Sequence, residues 1–291
     1  GKSVEEWIND EATKSMQEYV AVENKFDELG LSFQNNEKEK ATVYLDSLWE
    51  YYGSMYEDMG ISENSELLIS LNSTKKSMIF DYYYGVGGEK EVSEEEVKNY
   101  LTENNSRINY IKMELKDGEG NLLKSDGKAE IMEMAEGYVD RIKNGEDMNT
   151  VGNEYEKYYD ALVEAAAETT DDGSEDTSDT AEETEEQITD NTTVISKDGA
   201  APSAAVVEKV FDGSVSTGDV FIVEEDEVYY VVEVLDLFAD ENYLSDNESY
   251  VRHTLKDDEF DAEVESWTAA QNVVRNEASY KRYKIKKFME N

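Results

Sequence analysis

The side chains that could carry out chemistry are unevenly supplied in this chain. It has one histidine, His253, and no cysteine, whereas aspartate and glutamate together number 70. A lone histidine cannot form a metal-binding pair, and a chain without cysteine has no disulfides, thiolate ligands or thiol nucleophiles. The sequence contains no Gly-x-Ser-x-Gly motif, and its glycine-rich segment, residues 85–88, joins helix to helix. We therefore expect no metal and no cofactor, and no pair of carboxylates stands out for glycoside cleavage.

The formal net charge of −43 limits the possible partners. Nucleic acid is bound through lysine and arginine, and the 27 such residues are far outnumbered by acids. The same excess of negative charge disfavours direct adsorption to anionic lipid. No apolar run reaches the roughly 18 residues that span a bilayer. The composition therefore predicts an acidic, self-repelling surface that binds neither nucleic acid nor membrane directly.

Two acidic segments raise calcium capture as an alternative. An EF-hand loop needs oxygen ligands at fixed offsets and a glycine at its sixth position. Residues 171–176 lack that register, and residues 117–121 lack the closing glutamate. A solvated acidic surface is the favoured interpretation, and residues 152–192 are predicted to be an acidic, mobile insertion with too little apolar surface to fold.

Two predicted strands, residues 107–115 and residues 228–235, enclose the central part of the chain. The first alternates between an apolar face of Ile111, Met113 and Leu115 and an opposite face of Tyr110, Lys112 and Glu114. A helix is predicted between Lys128 and Lys143, with apolar residues at helical spacing: Ile131, Ala135, Tyr138 and Ile142. We expect this helix to cover the apolar face of a small, mostly antiparallel sheet in an α+β domain.

Four short motifs follow one another in this region. They are residues 110–113 (YIKM), 142–148 (IKNGEDM), 210–211 with 218–220 (VF and GDV), and 228–234 (VYYVVEV). In this order they resemble the parvulin-type prolyl isomerase domain, as found in extracytoplasmic folding factors of the PrsA and SurA kind. The resemblance implies an FKBP-like α+β domain inserted into a helical, chaperone-like domain.

The resemblance also implies where a substrate groove would lie. Parvulins have two histidines at the positions of Tyr110 and Tyr230, and counting back from Phe211 places their pocket phenylalanine at Val206. The implied substrate-binding set is Tyr110, Lys112, Met148, Val206, Phe211 and Tyr230. Because tyrosine ionises near pH 10, a degenerate domain that binds peptide without turnover is favoured, and no residue is assigned as catalytic. An active peptidyl-prolyl cis-trans isomerase that uses the two tyrosines is the alternative.

Both ends of the chain are predicted to be helical. Residues 1–104 form the first part of the helical domain, residues 105–238 the parvulin-like domain, and residues 239–291 a helical segment that returns to the first part. The residues predicted to face inward in the first part are Trp7, Tyr19, Leu45, Leu48, Trp49, Tyr52, Leu67, Leu68, Leu71, Met78, Ile79 and Tyr82. The dense aromatics from Tyr44 to Tyr84 favour helix packing, with an exposed cradle for unfolded chains as the alternative.

The sequence thus predicts an extracytoplasmic chaperone or foldase that binds non-native or extended polypeptide clients. Following the resemblance, we expect a cell-surface lipoprotein whose secretion signal is not part of this chain. A surface scaffold or solute-binding lipoprotein without chaperone activity is a further alternative. The sequence leaves the oligomeric state open.

Overall fold

The structure is a computed structural model that describes residues 1–33, 35–170, 189–274, 276 and 278. It divides into two compact units. One unit comprises Gly1–Val97 with the described part of Glu248–Asn291, and the other comprises Lys98–Asn247. The fold class is α+β, as the sequence predicts, with helices in both units and a four-stranded sheet in the second. No helix in the described ranges is long and apolar enough to cross a membrane.

Capping side chains and glycines bound several helices of the first unit. They include α1 (Val4–Glu28), α2 (Asn35–Asp58), α3 (Glu63–Tyr84), the start of α4 (Glu94–Asn104) and most of α8 (Tyr243–Ala269). The Glu6 N–H donates to Ser3 Oγ at 3.2 Å and the Ser3 N–H donates to Glu6 Oε2 at 2.8 Å, so these two residues form a capping box at the start of α1. Gly30 and Gly60 follow α1 and α2 with φ of 66° and 81°, a conformation that glycine adopts without strain.

Within this unit α8 packs against α3. The Phe260 ring meets the Phe80 ring edge to face, with centroids 5.3 Å apart, and Phe80 is 1% exposed. Lys76 Nζ lies 3.3 Å from Asp261 Oδ1 on α8 and 3.0 Å from Glu18 Oε1 on α1. Segments from both ends of the chain therefore contribute to one core.

Several inward-facing residues were predicted wrongly for α1 to α3. Leu45 and Ile79 are buried as expected. Four of the predicted set are instead exposed, namely Trp7, Tyr52, Leu68 and Tyr82. These helices carry apolar residues on more than one face, so a period of 3.6 residues does not decide which face is covered.

The second unit is built on an antiparallel sheet with the strand order β2-β1-β4-β3. The strands are β1 (Asn105–Glu114), β2 (Thr193–Ser196), β3 (Val220–Glu224) and β4 (Val228–Leu235). The predicted first strand corresponds to β1, and the predicted last strand has the bounds of β4. These two strands are hydrogen-bonded neighbours, so the prediction that they lie side by side is confirmed.

The two faces of this sheet have different helical cover. One face packs on α5 (Ser125–Lys143) and α6 (Met148–Thr170), and the other packs on α7 (Ala204–Phe211). The first core contains every residue predicted for it: Ile111 and Met113 from β1, Leu115 directly after it, and Ile131, Ala135, Tyr138 and Ile142 from α5. Successive residues of β1 therefore face opposite sides of the sheet and belong to different cores, as the pleat of a strand requires.

The structure differs from the prediction in the first part of the acidic insertion. Residues 152–170 belong to α6, and Tyr155 in that helix is 2% exposed and donates from its hydroxyl to the Glu114 carbonyl at 3.1 Å. Arg141 ties α5 to α6 through Nη1, which lies 2.7 Å from Glu154 Oε2. Burial of Tyr155 stabilises this segment as a helix, although its acidic composition predicts a mobile chain. Residues 171–188 of the predicted insertion lie outside the described residues.

Candidate functional site

The tyrosines at the two parvulin histidine positions lie together on one face of the sheet. In the register between β1 and β4, Tyr110 is opposite Val232 and Lys112 is opposite Tyr230. Tyr110 and Tyr230 are therefore diagonal neighbours, which places long side chains within reach of each other. Their ring centroids are 6.0 Å apart with an interplanar angle of 65°, an edge-to-face arrangement.

The surroundings of Tyr230 favour its neutral phenol. Tyr230 is 5% exposed, and its burial raises the pKa of its hydroxyl above the ordinary value. The Glu114 carboxylate lies 2.7 Å from Lys112 Nζ, and hydrogen bonding to it raises the pKa of Lys112. Among the described residues, neither phenol hydroxyl has a hydrogen-bonding partner. At neutral pH the site therefore offers the neutral phenol of Tyr230 and the Lys112 ammonium paired with a carboxylate.

The remaining wall of the predicted groove is largely filled by the core. Val206 on α7 is 0% exposed and packs with Ile108 and Val232, so it belongs to the interior and presents no surface to a client. Phe211, at the end of α7, is partly buried against the same cluster. A pocket of about 330 Å³ opens between α7 and β3, lined by Ala205, Lys209, Ile222 and Val223, and Tyr230 is not among its lining residues.

Met148 lies on the other side of β1. It is 3% exposed in the core beneath α5 and α6, but it also lines a pocket of about 50 Å³ together with Tyr110 and Lys112. Ligand pockets usually have volumes of roughly 300–1,000 Å³, so this one is too small to enclose a peptide segment. Its rim is held by Asn191, whose Nδ2 donates to the Tyr110 carbonyl at 3.1 Å.

A second candidate site lies on α2, where the sequence prediction placed Leu48 and Tyr52 in the core and kept an exposed cradle between Tyr44 and Tyr84 as the alternative. Five residues at helical spacing on one side of this helix form a surface that we call the α2 row: Tyr44, Leu48, Tyr51, Tyr52 and Met55. Tyr51 is 79% exposed, Tyr44 66% and Tyr52 52%, and Met55 is 50% exposed. The helix packs instead through a neighbouring side that includes Ala41, Leu45 and the buried Gly53. The signal in the sequence was that α2 has more apolar positions than one packed face can hold.

The acidic turn at residues 117–121 is accounted for by its own hydrogen bonds. Asp117 Oδ1 accepts from the backbone N–H of Glu119 at 3.0 Å and of Asn121 at 2.8 Å. These bonds lower the pKa of the Asp117 carboxyl and explain an aspartate at this position without a cation. Within the described ranges, no three acidic or histidine side chains group closely enough to hold a metal ion.

Fold and sites together define a class of protein. It is an α+β protein whose helical unit includes segments from both chain ends and exposes a row of tyrosines. Its second unit has a four-stranded antiparallel sheet with helices on both faces, and Tyr110 and Tyr230 lie together on one of these faces. No protein-family model and no curated protein matches the chain.

Among solved structures, the chain is similar to three PrsA proteins. It is 12% identical to the foldase protein PrsA from Streptococcus pneumoniae, with a TM-score of 0.37, covering 90% of this chain and 85% of that chain. With PrsA from Bacillus subtilis the identity is 14%, the TM-score 0.31 and the coverage 92% and 87%. With the foldase protein PrsA from Lactococcus lactis the values are 12%, 0.35, 90% and 83%. PrsA is also a protein that the sequence motifs resemble.

Proposed function

We propose that this protein is a folding factor that holds non-native or extended polypeptide, and that its parvulin-like unit does not isomerise proline. The observation that carries the proposal is the α2 row. Tyr51, Tyr52 and Met55 are each at least half exposed on one helix. Soluble proteins rarely leave such residues grouped on the surface unless they bind something.

The residue types of the α2 row suit loosely specified clients. Tyrosine offers a large apolar ring with a polar end and few rotatable bonds, so it gains contact area at low cost in conformational entropy. Methionine is flexible and polarizable, and it adapts to partners of different shape. A row of this composition supports binding to many unfolded segments, whereas a small-molecule site would be an enclosed pocket with a few convergent polar groups.

The geometry around Tyr110 and Tyr230 supports a binding or structural role for the second unit, in place of a catalytic one. Rotation about a prolyl amide has to overcome a barrier of roughly 18–20 kcal/mol, which calls for a polar network acting on the amide. The two phenols contact each other, and Val206 beside them is core. Peptide contact at this face would therefore be limited to the partly exposed Tyr110 and Lys112.

The proposal includes an extracytoplasmic, lipid-anchored location, as the resemblance implies. Because the chain has no cysteine, its export would need no oxidative folding step, which agrees with this location. The test is the coding sequence upstream of Gly1. A basic start, an apolar segment and a terminal cysteine would support the anchor, and a cytoplasmic upstream domain would contradict it.

The proposed function is tested by suppression of aggregation of a chemically denatured client at equimolar ratio. The Tyr51→Ser/Tyr52→Ser variant is compared with Tyr158→Ser/Tyr250→Ser, which removes two other exposed tyrosines. We expect the native protein and the control to suppress aggregation, and the α2 variant to have lost most of this activity. Equal activity of the two variants, or no suppression by the native protein, would contradict the proposal. Both variants should keep the native helical circular dichroism, because exposed substitutions usually change stability by less than about 0.5 kcal/mol.

A further inference from the structure

Strand β3 lies at one edge of the sheet, so only one of its sides is paired with another strand. Hydrogen-bonded and non-hydrogen-bonded pairs alternate along antiparallel strands. At the two ends of β3, backbone hydrogen bonds of 3.0 Å join Asp219 and Glu225 to the β4 residues opposite them. The odd-numbered residues therefore bond to β4, and the N–H and C=O groups of Val220, Ile222 and Glu224 point away from it, towards the free edge.

Within the described part of the chain, nothing takes up these outward groups: the three residues make no backbone hydrogen bond on that side of β3. The opposite edge of the sheet differs. There β2 has four residues, and its outward Ser196 carbonyl already accepts the Gly199 N–H at 2.9 Å. The first four residues of β3 are Val-Phe-Ile-Val, without the lysine or proline that often protects an edge. Strand β3 therefore presents an open template for another strand.

The pocket between α7 and β3, which we call the α7–β3 pocket, opens beside this edge. Ile222 and Val223 both line it, although consecutive side chains of a strand point to opposite faces of the sheet. Ile222 packs against the core that includes α5, and Val223 belongs to the core that includes α7. A pocket that both residues line therefore borders the edge of the strand. Its volume is about 330 Å³, and because a cavity of roughly 150 Å³ holds benzene, it has room for a large side chain.

The walls of the α7–β3 pocket suit an apolar side chain. Ala205 supplies an apolar wall from α7, and the two strand residues supply another. Lys209 also lines the pocket, but its Nζ lies 3.2 Å from Asp212 Oδ2 and donates to Ser214 Oγ at 2.7 Å. The charge of this ammonium is thus engaged within the chain, which disfavours an anionic ligand.

We propose that the free edge of β3 binds an extended polypeptide segment as a fifth strand, with one apolar side chain of that segment in the α7–β3 pocket. The inference rests on the proposed function for the kind of client, but it assigns a second site, separate from the α2 row. Main-chain hydrogen bonds give affinity for many sequences, and the pocket selects an apolar or aromatic residue at one position. A second copy of the chain is the less favourable occupant, because two copies that each carry a charge of −43 repel each other. One short edge holds only a short segment, so the α2 row still provides most of the suppression of aggregation.

The test uses the full chain with Tyr51→Ser/Tyr52→Ser, so that the α2 row does not contribute to binding. The probe is a short, capped, neutral peptide of alternating threonine and valine with one central phenylalanine, a composition that favours an extended conformation. Amide hydrogen exchange, followed for each residue by NMR, reports which N–H groups become protected. We expect the peptide to slow exchange at the outward amides of Val220, Ile222 and Glu224. The amides of the intervening residues should not change, because they are already bonded to β4.

Two further substitutions at the exposed Glu224 separate the backbone from the charge. Glu224→Pro removes one outward N–H and places the proline ring in the path of a partner strand, whereas Glu224→Gln removes the same charge and keeps the N–H. Peptide affinity, measured by fluorescence anisotropy, should fall roughly tenfold in the proline variant and change by less than about twofold in the glutamine variant. Both variants should keep the native helical circular dichroism, and the hydrogen-exchange pattern depends on neither of them.

The outcomes distinguish this inference from the proposed function. Protection that alternates along β3, together with weaker binding in Glu224→Pro alone, supports the fifth strand. Peptide binding without protection in β3, equal affinity of the two Glu224 variants, or no peptide binding contradicts it, and the folding factor stands if the native protein suppresses aggregation. Protection of the same amides that rises with protein concentration in the absence of peptide would show a second copy at the edge and overturn the assignment. If the native protein neither suppresses aggregation nor binds the peptide, both proposals fail.

Discussion

The rings of Tyr110 and Tyr230 meet edge to face with centroids 6.0 Å apart, on neighbouring antiparallel strands. Each ring therefore packs against the other, and the pair covers part of one face of the sheet. Burial keeps Tyr230 protonated to a higher pH than an exposed tyrosine. This relationship supports the non-catalytic interpretation of the second unit.

The first prediction concerns isomerase activity. We expect no acceleration of the refolding of a client whose slow phase is prolyl isomerisation, anywhere between about pH 6 and 9, because tyrosines ordinarily ionise near pH 10. The measurement is the rate of that slow phase with and without the protein, with a client that lacks a proline-limited phase as control. Acceleration that disappears in Tyr110→Phe or Tyr230→Phe would show that the tyrosines work as a catalytic pair.

The second prediction concerns the backbone at Tyr110. Asn109 is 5% exposed, accepts the Tyr110 N–H at 2.8 Å and donates from Nδ2 to Asn149 Oδ1 at 2.7 Å. Asn109→Ala removes both bonds and leaves Asn149 without this donor, so we expect a loss of about 1–3 kcal/mol in the free energy of unfolding. Urea denaturation measures it, with the exposed Asn121→Ala as the control that should change much less. A loss below about 0.5 kcal/mol would mean that this buried bond does not hold β1 to α6.

The third prediction concerns stability at alkaline pH. Burial raises the pKa of Tyr155 well above that of an unfolded tyrosine, because removal from water disfavours the charged phenolate. Above about pH 10 the unfolded chain therefore releases this proton and the folded chain keeps it, and stability falls by up to about 1.4 kcal/mol per pH unit for this one group. Stability conferred by the neutral phenol is fully present below that pH.

The Tyr155→Phe variant separates this contribution from other alkaline effects. At pH 7 it should be about 1 kcal/mol less stable than the native protein, because it lacks the hydrogen bond. Between about pH 10 and 11 this difference should shrink or reverse, because phenylalanine has no proton to lose. Urea denaturation across this range measures it, and Tyr158→Phe at an exposed position is the control. A difference that stays constant with pH would contradict the assigned burial.

Much of the second unit follows from the sequence. Ile111, Met113 and Leu115 alternate with polar residues, and a pleated strand has to place them on one side. The position of Tyr110 next to Tyr230 could be predicted because antiparallel pairing of the first and last strands brings the motifs together. Tyr155 was missed because its acidic neighbours dominate the composition of that segment, although α6 buries it against β1.

The α2 row could not be placed from periodicity alone. Leu45 and Tyr52 both fit an apolar face of one helix, and only the packing of α3 against α2 decides that Leu45 is buried and Tyr52 is not. Likewise, Val206 could be aligned with a pocket position, but its burial depends on how closely α7 approaches the sheet. Which apolar residues become buried depends on contacts between helices and strands, and the spacing of apolar residues within one segment does not determine these contacts.

Site-specific photo-crosslinking to a permanently unfolded client tests the central claim most directly. A photoreactive phenylalanine analogue replaces Tyr51 in one protein and Tyr158, an exposed tyrosine of the other unit, in a second. The account predicts a strong client adduct from position 51 that free client competes away, and little or none from position 158. Adducts of equal yield from both positions, or none from position 51 while the client is bound, would contradict client binding at the α2 row.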